Sequence, residues 1–353
     1  MQIERETLVR VLNKLKPGLS PKELVEEMVS YNFLGEYIVT YNDLIAVFYP
    51  FKTDFKCAVK ADRFLKVLSK NKEEIVDITY VENKKGTELK VTTERMEASF
   101  PTGSGDLLKQ AMDDLIANFD EDWKELPSYF VDGMYYCMFS AATDPAKGTL
   151  TCINVKGEDV MSCDNSRATW YTLDSPVDEF MIKAKVGVEL KKYEPSHYKV
   201  IDSWVLFRTD DGVVFCVRKT SGEYPDISKL FVIEGVEVEL PREIVEGLET
   251  TSVAYEDVPV WGSSVDITIE NGTMELSANR KGILKIKNKI PMPNYDGERI
   301  SFPITPDFLL EVIKKTPKKE NPVMVVDSES KSIYFGNEEF EHVIMMRNED
   351  TRH

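Results

Sequence analysis

One order of elements recurs along this chain: a short strand, a helix of about ten residues, then a β-hairpin, with starts roughly 50 to 70 residues apart. Any fold it adopts must be assembled from copies of that unit. The first copy has a strand at 2–4, a helix over 6–15 with Leu8, Val11, Leu12 and Leu15 on one face, and a hairpin of 36–41 and 44–49 about Asn42-Asp43. The second repeats it with 57–60, a helix over 62–69 carrying Phe64, Leu65 and Leu68, and a hairpin of 76–82 and 87–92. The third is the faintest, with a helix near 128–139 and a hairpin of 149–155 and 159–163 turning at Lys156-Gly157-Glu158. The fourth has 179–183, a helix over 184–193, and a hairpin of 205–208 and 213–218 about Thr209-Asp210-Asp211-Gly212. The fifth has 236–240, Pro241 as the first helical residue before 242–248, and a hairpin of 265–270 and 273–277 about Asn271-Gly272, the strongest short hairpin signal. The sixth has 299–304, a helix over 306–315, strands at 323–327 and 332–336, and a closing strand at 342–347. Six half-domains make three α+β domains, 1–122, 123–233 and 234–353, a count that suits 353 residues.

Two stretches stand outside the pattern. Residues 103–122 open on Gly-Ser-Gly-Asp and continue with helical apolar spacing, as a linker carrying an extra helix. Residues 221–231 (Ser-Gly-Glu-Tyr-Pro-Asp-Ile-Ser-Lys-Leu-Phe) follow the fourth hairpin, and Pro225 cannot sit inside a central strand, so this segment is expected to cross between domains.

Net charge is −17, which on its face argues against nucleic acid. The distribution reverses that reading. The stretches 4–16, 62–72, 183–192 and 307–319, each built on a helix, carry +2, +3, +3 and +2, leaving −27 for the rest of the chain. A helix whose apolar face packs on a sheet turns its polar face to solvent, so Arg10, Lys14, Lys66, Lys70, Lys185, Lys192, Lys314 and Lys315 are expected on one basic surface. The third and fifth helices do not join it; Arg242, Glu243, Glu246 and Glu249 sum to −2.

Chemistry for an enzyme is missing. His197, His342 and His353 have no triad-like context, Lys85-Gly86-Thr87 and Lys147-Gly148-Thr149 lack the glycines of a phosphate loop, and Lys331 interrupts the acidic run 327–338 where a calcium ligand belongs. Cys57, Cys137, Cys152, Cys163 and Cys216 are odd in number and set among apolar residues, as buried thiols rather than disulfides or zinc ligands. No cofactor or metal is expected. No window approaches the roughly 20 apolar residues of a membrane span, and Met-Gln-Ile-Glu-Arg-Glu is too charged for a signal peptide, so a cytoplasmic setting is expected.

The chain resembles the bacterial and phage DNA polymerase sliding clamps, the beta subunit of DNA polymerase III, over essentially its whole length. Gly222-Glu223-Tyr224-Pro225-Asp226 is similar to the family's Gly-Arg-Phe-Pro-Asp-Tyr, and Ser162-Cys163-Asp164-Asn165-Ser166-Arg167 occupies the place of Ala-Thr-Asp-Gly-His-Arg. Leu276-Ser277-Ala278-Asn279 is close to Ile-Thr/Ser-Ala-Asn, and Val343-Ile344-Met345-Met346-Arg347 resembles Val-Met-Pro-Met-Arg. The resemblance implies three clamp domains and a head-to-tail homodimer, a ring with helices inside and sheets outside that encircles duplex DNA. Its partners would be the replicative polymerase and the clamp loader ATPase, in a bacterial cell or phage-infected host. It also implies a partner-peptide pocket with Asp164, Asn165, Ser166 and Arg167 on one wall, Pro225, Lys229 and Leu230 on a second, and Ser332, Ile344, Met345, Met346 and Arg347 on the third. Asn165-Ser166 in place of Gly-His, Met345 in place of Pro, and the tail 348–353 beyond the family's usual end mark a divergent member. The alternative from another class is a repeat-built scaffold that does not enclose DNA.

Overall fold

The computed structural model describes residues 1–23, 25–84, 86–120, 122–315 and 321–347. The tail 348–353, the last part of the sixth basic stretch (316–319) and Lys85 lie outside the described residues.

Every repeat but the third proves to be a strand, a helix and then three strands, one more than the hairpin expected in all but the sixth. The first is β1 (Gln2–Glu4), α1 (Arg5–Lys14), β2 (Ser30–Phe33), β3 (Tyr37–Tyr41) and β4 (Ile45–Pro50). The second is β5 (Cys57–Lys60), α2 (Ala61–Lys70), β6 (Ile75–Asn83), β7 (Gly86–Thr92) and β8 (Glu97–Gly103), followed by the extra helix α3 (Asp106–Ile116). The third has β9 (Lys124–Glu125), α4 (Phe130–Met138) and two long strands, β10 (Cys152–Cys163) and β11 (Arg167–Lys183). The second half of β11 opens the fourth repeat, which continues with α5 (Val186–Tyr193), β12 (His197–Val200), β13 (Trp204–Arg208) and β14 (Val214–Arg218). The fifth is β15 (Val236–Glu239), α6 (Ile244–Ser252), β16 (Val265–Glu270), β17 (Thr273–Arg280) and β18 (Leu284–Pro291). The sixth is β19 (Ile300–Ile304), α7 (Pro306–Lys315), β20 (Val323–Asp327), β21 (Ser332–Gly336) and β22 (Phe340–Met345).

The expected hairpin at 149–155 and 159–163 is corrected by this arrangement. Residues 152–155 and 159–163 both belong to β10, 149–151 lie in a 3-10 segment ahead of it, and Lys156-Gly157-Glu158 is a bulge in the strand, with Gly157 at φ +63° and the register to β11 slipping on either side. The real turn lies at 164–166. Pro241 is likewise not the first helical residue: Ile244 N–H donates to Pro241 O at 3.1 Å, closing a turn ahead of α6. Asn271 and Gly272 do form the hairpin turn, both with positive φ, as a type I′ turn requires.

The repeats are coupled in pairs by exchange of their first strands. β1 pairs with β6 and β5 with β2; β9 pairs with β12 and the end of β11 with the start of β10; β15 pairs with β20 and β19 with β16. Neither member of a pair completes its sheet without the other.

By contact the chain divides into two compact bodies, 1–126 with 188–220, and 127–187 with 221–353. The first holds one twelve-stranded sheet, β1-β6-β7-β8-β5-β2-β3-β4-β14-β13-β12-β9. Helices α1 and α2 lay Leu8, Val11 and Leu12, and Ala61, Phe64 and Leu68, into its core, each fully buried large side chain contributing roughly 1.5–3 kcal/mol. A further cluster joins Met112 and Leu115 of α3, and Phe119 after it, to Val39, Phe48, Leu206, Val214 and Cys216 of β3, β4, β13 and β14. The extra helix is therefore packed onto the sheet where β4 meets β14. The second body holds a six-stranded sheet, β10-β11-β22-β21-β20-β15, and a four-stranded one, β18-β17-β16-β19. Leu248 of α6 and Leu309, Val312 and Ile313 of α7 fill its core with Ile267, Leu276 and Ile333. All five cysteines are buried and unpaired. No described helix is long and apolar enough to cross a membrane.

Candidate functional site

The cations expected on a common surface are carried by α1, α2, α5, α7 and, for Lys185, the turn just before α5, and their surroundings differ. Lys66, Lys70 and Lys185 are exposed and have no ion-pair partner among the described residues. Arg10, also exposed, donates to the Thr7 hydroxyl at 3.5 Å. Lys14 is half-buried and bonds Asp211 Oδ2 at 2.9 Å. Burial alone would raise the Asp211 carboxyl, but hydrogen bonds from the Thr209 hydroxyl and the Lys14 ammonium outweigh it and hold it below the ordinary carboxylate range. Lys192 pairs with Glu189 at 3.0 Å and Lys314 with Glu249 at 2.7 Å, exposed contacts of little net strength.

In the first body the structure brings three of these residues together. Arg10, Lys14 and Lys192 line one groove of about 630 Å³ with Lys16 and Tyr193. A larger cleft, about 1280 Å³, takes Lys66 together with Lys16, Lys60 and Arg63. Arg63 and Lys16 were not among the expected surface cations, although both lie in the basic stretches.

Lys315 departs from expectation. Its ammonium sits 3.8 Å from the Phe139 ring centroid and 4.4 Å from that of Tyr135, and it bonds the Tyr135 carbonyl at 3.4 Å. It is turned into the protein by an aromatic cage.

All three expected pocket walls fall in the second body. Asp164 caps the β10–β11 turn: its Oδ1 accepts the N–H groups of Ser166 (2.7 Å) and Arg167 (3.0 Å), and its own N–H donates to Arg167 O (3.0 Å). Asn165 is left exposed at the tip. β22 lies between β11 and β21, setting Ile344 opposite Arg167 and Met345 opposite Ser332, with Met345 N–H donating to Ser166 O at 2.7 Å. The first and third walls are thus neighbouring strands of one sheet.

The segment 221–231 forms the remaining wall. A short turn of 3-10 helix, Ser228–Phe231, lies against β22. Tyr224 Oη accepts the Cys163 N–H at 2.8 Å, Ile227 is buried with Cys163 and Ala168, and the Phe231 ring meets Trp170 edge-on at 5.6 Å. Those anchors leave Pro225, Lys229 and Leu230 exposed, Leu230 at 41%.

Not every expected wall residue reaches the surface. Ile344 is wholly buried and Ser332 is 2% exposed, so both support the wall from behind. Met345, Met346 and Arg347 are half-buried. Arg167 stacks on Phe308 at 4.0 Å, bonds Asp164 Oδ2 at 3.2 Å and pairs with Glu311. Behind it His342 is fully buried, its Nδ1 2.9 Å from the Thr169 hydroxyl; burial, with Arg167 and Lys315 nearby, pushes its pKa down to about 3.

Trp261 and Glu311 were missed. Trp261 is 72% exposed, and its carbonyl accepts from the Arg347 guanidinium. The signal was present in Val258-Pro259-Val260-Trp261, an apolar run in a loop. Glu311 gave no signal, because its role depends on a residue 144 positions away. Among the described residues no cluster of three or more His, Cys, Asp and Glu has metal-binding geometry.

No protein-family model and no curated protein sequence matches the chain. Solved structures do. The beta subunit from DNA polymerase of Streptococcus pyogenes superposes with a TM-score of 0.82 at 16% identity, covering 98% of this chain and 99% of that one. The DNA polymerase III subunit beta from Borrelia burgdorferi, in complex with a natural product, gives 0.84 at 17% identity over 99% of both chains. The DNA polymerase sliding clamp from Bacillus subtilis gives 0.80 at 16% identity over 98% of both. At these identities the likeness establishes the fold, end to end.

Proposed function

We propose that this chain is a DNA sliding clamp, a divergent counterpart of the DNA polymerase III beta subunit. Two copies close head to tail around duplex DNA and tether the replicative polymerase and clamp loader. The observation that carries the reading is the end-to-end fold correspondence with clamps from three bacteria. The exchanged first strands support three domains, 1–122, 123–233 and 234–353, each a pair of repeats.

Free strand edges support the dimer. Among the described residues β18 pairs only with β17, with Ile283 just before it 63% exposed, and residues 97–101 of β8 pair only with β7. Joining the β8 edge of one copy to the β18 edge of the next would continue the sheets and leave neither edge bare, as a closed heterologous ring requires. Exposed cations such as Lys66 and Lys70 of α2 and Lys185 ahead of α5 would attract phosphates without reading bases, so contact stays weak and salt-sensitive while topology retains the ring. The acidic remainder of the surface would repel DNA that is not threaded. The protein acts as a non-catalytic processivity subunit in the cytoplasm of a bacterium or phage-infected host. Leu230, Met345, Met346, Lys229 and Arg347, with Trp261 beside them, offer an apolar seat with cationic rims for a partner peptide.

Loading onto nicked circular and linear DNA tests the reading. Retention on the circle with rapid loss from open linear ends is expected; equal retention on both, or open polymers in sedimentation, would refute it.

A further inference from the structure

We propose that Glu311 is a specificity-determining residue of the partner pocket, holding Arg167 in an ion pair that a partner's carboxylate would otherwise occupy. The inference rests on the peptide-pocket reading above.

A guanidinium in the wall of a peptide groove is an obvious anchor for a carboxylate, because its planar fork matches two oxygens. In this chain the fork is already taken. Nε of Arg167 donates to Asp164 Oδ2 at 3.2 Å, Nη1 donates to Glu311 Oε2, and the guanidinium face lies 4.0 Å over the Phe308 ring. Phe308 and Glu311 are three residues apart on α7, so one turn of that helix supplies both the stacking surface and the acid.

Exposure completes the argument. The Arg167 side chain is 10% accessible and the Glu311 side chain 44%. A ligand arriving here meets an acid and not the base behind it. Neither cation further along the same helix substitutes: Lys314 pairs with Glu249 at 2.7 Å, and the Lys315 ammonium lies against the Phe139 and Tyr135 rings. An incoming carboxylate would have to displace Glu311 from a buried guanidinium and would leave that acid unpaired. A neutral amide or a cation can instead bond the accessible Glu311 oxygen. The pocket therefore selects an apolar peptide with a neutral or donor group over Arg167, and any acidic group in the partner is left to the exposed Lys229.

The test compares two labelled synthetic peptides, acetyl-Leu-Glu-Leu-Phe amide and acetyl-Leu-Gln-Leu-Phe amide, by fluorescence anisotropy on the full-length protein. Wild type is expected to bind the Glu peptide no more tightly than the Gln peptide. Glu311→Gln, and independently Glu311→Ala, should shift the ratio about tenfold toward the Glu peptide, a gain that high salt removes. Because both peptides are measured on one sample, a partly unfolded variant leaves the ratio unchanged. A wild-type preference of tenfold for the Glu peptide, or a ratio within about twofold of wild type in both variants, overturns the proposal. If wild type binds neither peptide, the pocket reading falls and this inference with it.

Discussion

Neutralising Lys66, Lys70 and Lys185 together, each to Gln, isolates the electrostatic part of the function. These side chains are exposed and have no ion-pair partner among the described residues, so folding should change by no more than about 0.5 kcal/mol for each substitution. Each lost phosphate contact lowers the slope of log affinity against log salt by about 0.9, and three lower it by roughly 3. Over a fourfold salt range, about 50 to 200 mM, that slope change alters the salt-induced loss of affinity by roughly 40-fold. The assay is anisotropy of a labelled duplex titrated with protein at several salt concentrations. Lys315→Gln is the internal control, because that ammonium is enclosed by aromatic rings, and its slope should match wild type. An unchanged slope in the triple variant, or an equal change from Lys315→Gln alone, would refute the assignment of these helix faces to phosphate contact.

Two further outcomes are expected. Phe119→Ala should destabilise the protein by about 3–5 kcal/mol in urea denaturation, since the ring is 8% exposed and meets Phe48 at 4.9 Å and Tyr37 at 5.9 Å, both edge-on; a loss below about 1 kcal/mol would mean that the 103–122 segment is not part of this core. His342 is held neutral with its pKa lowered from 6.5 to about 3, so the unfolded chain takes up its proton first as pH falls. Its contribution is fully present above pH 6.5 and is lost progressively toward pH 3; His342→Gln should flatten the stability profile across that window, and an unaltered profile would show that another group titrates there.

Much of the fold was legible because it is local. Helical spacing marked α1, α2 and α7, and Asn271-Gly272 marked its turn, through preferences acting within a few residues. Several strands that escaped have weak local signals: β2 is buried on both faces yet contains Ser30 and Asn32, β8 contains Pro101, and β12 is four residues long; β18 escaped although Leu284, Ile286 and Ile290 alternate with lysines. Of the expected pocket residues, Arg167 was named from the motif ending at it and Lys229 and Leu230 from their place in the connector 221–231, whereas burial of Ile344 and Ser332 depended on the core behind β22 and β21.

The sequence by itself determined the repeat order, the α+β class and the concentration of cations on four helices, since periodicity and charge are written residue by residue. Only the tertiary structure decided that Lys156-Gly157-Glu158 bends a strand rather than ending it, that first strands are exchanged between repeats, and that Arg167 and Lys315 are enclosed. The physical reason is separation along the chain. Arg167 and Glu311 are 144 residues apart, and Lys315 and Tyr135 are 180, so their charges take on meaning only once the sheet between them has formed.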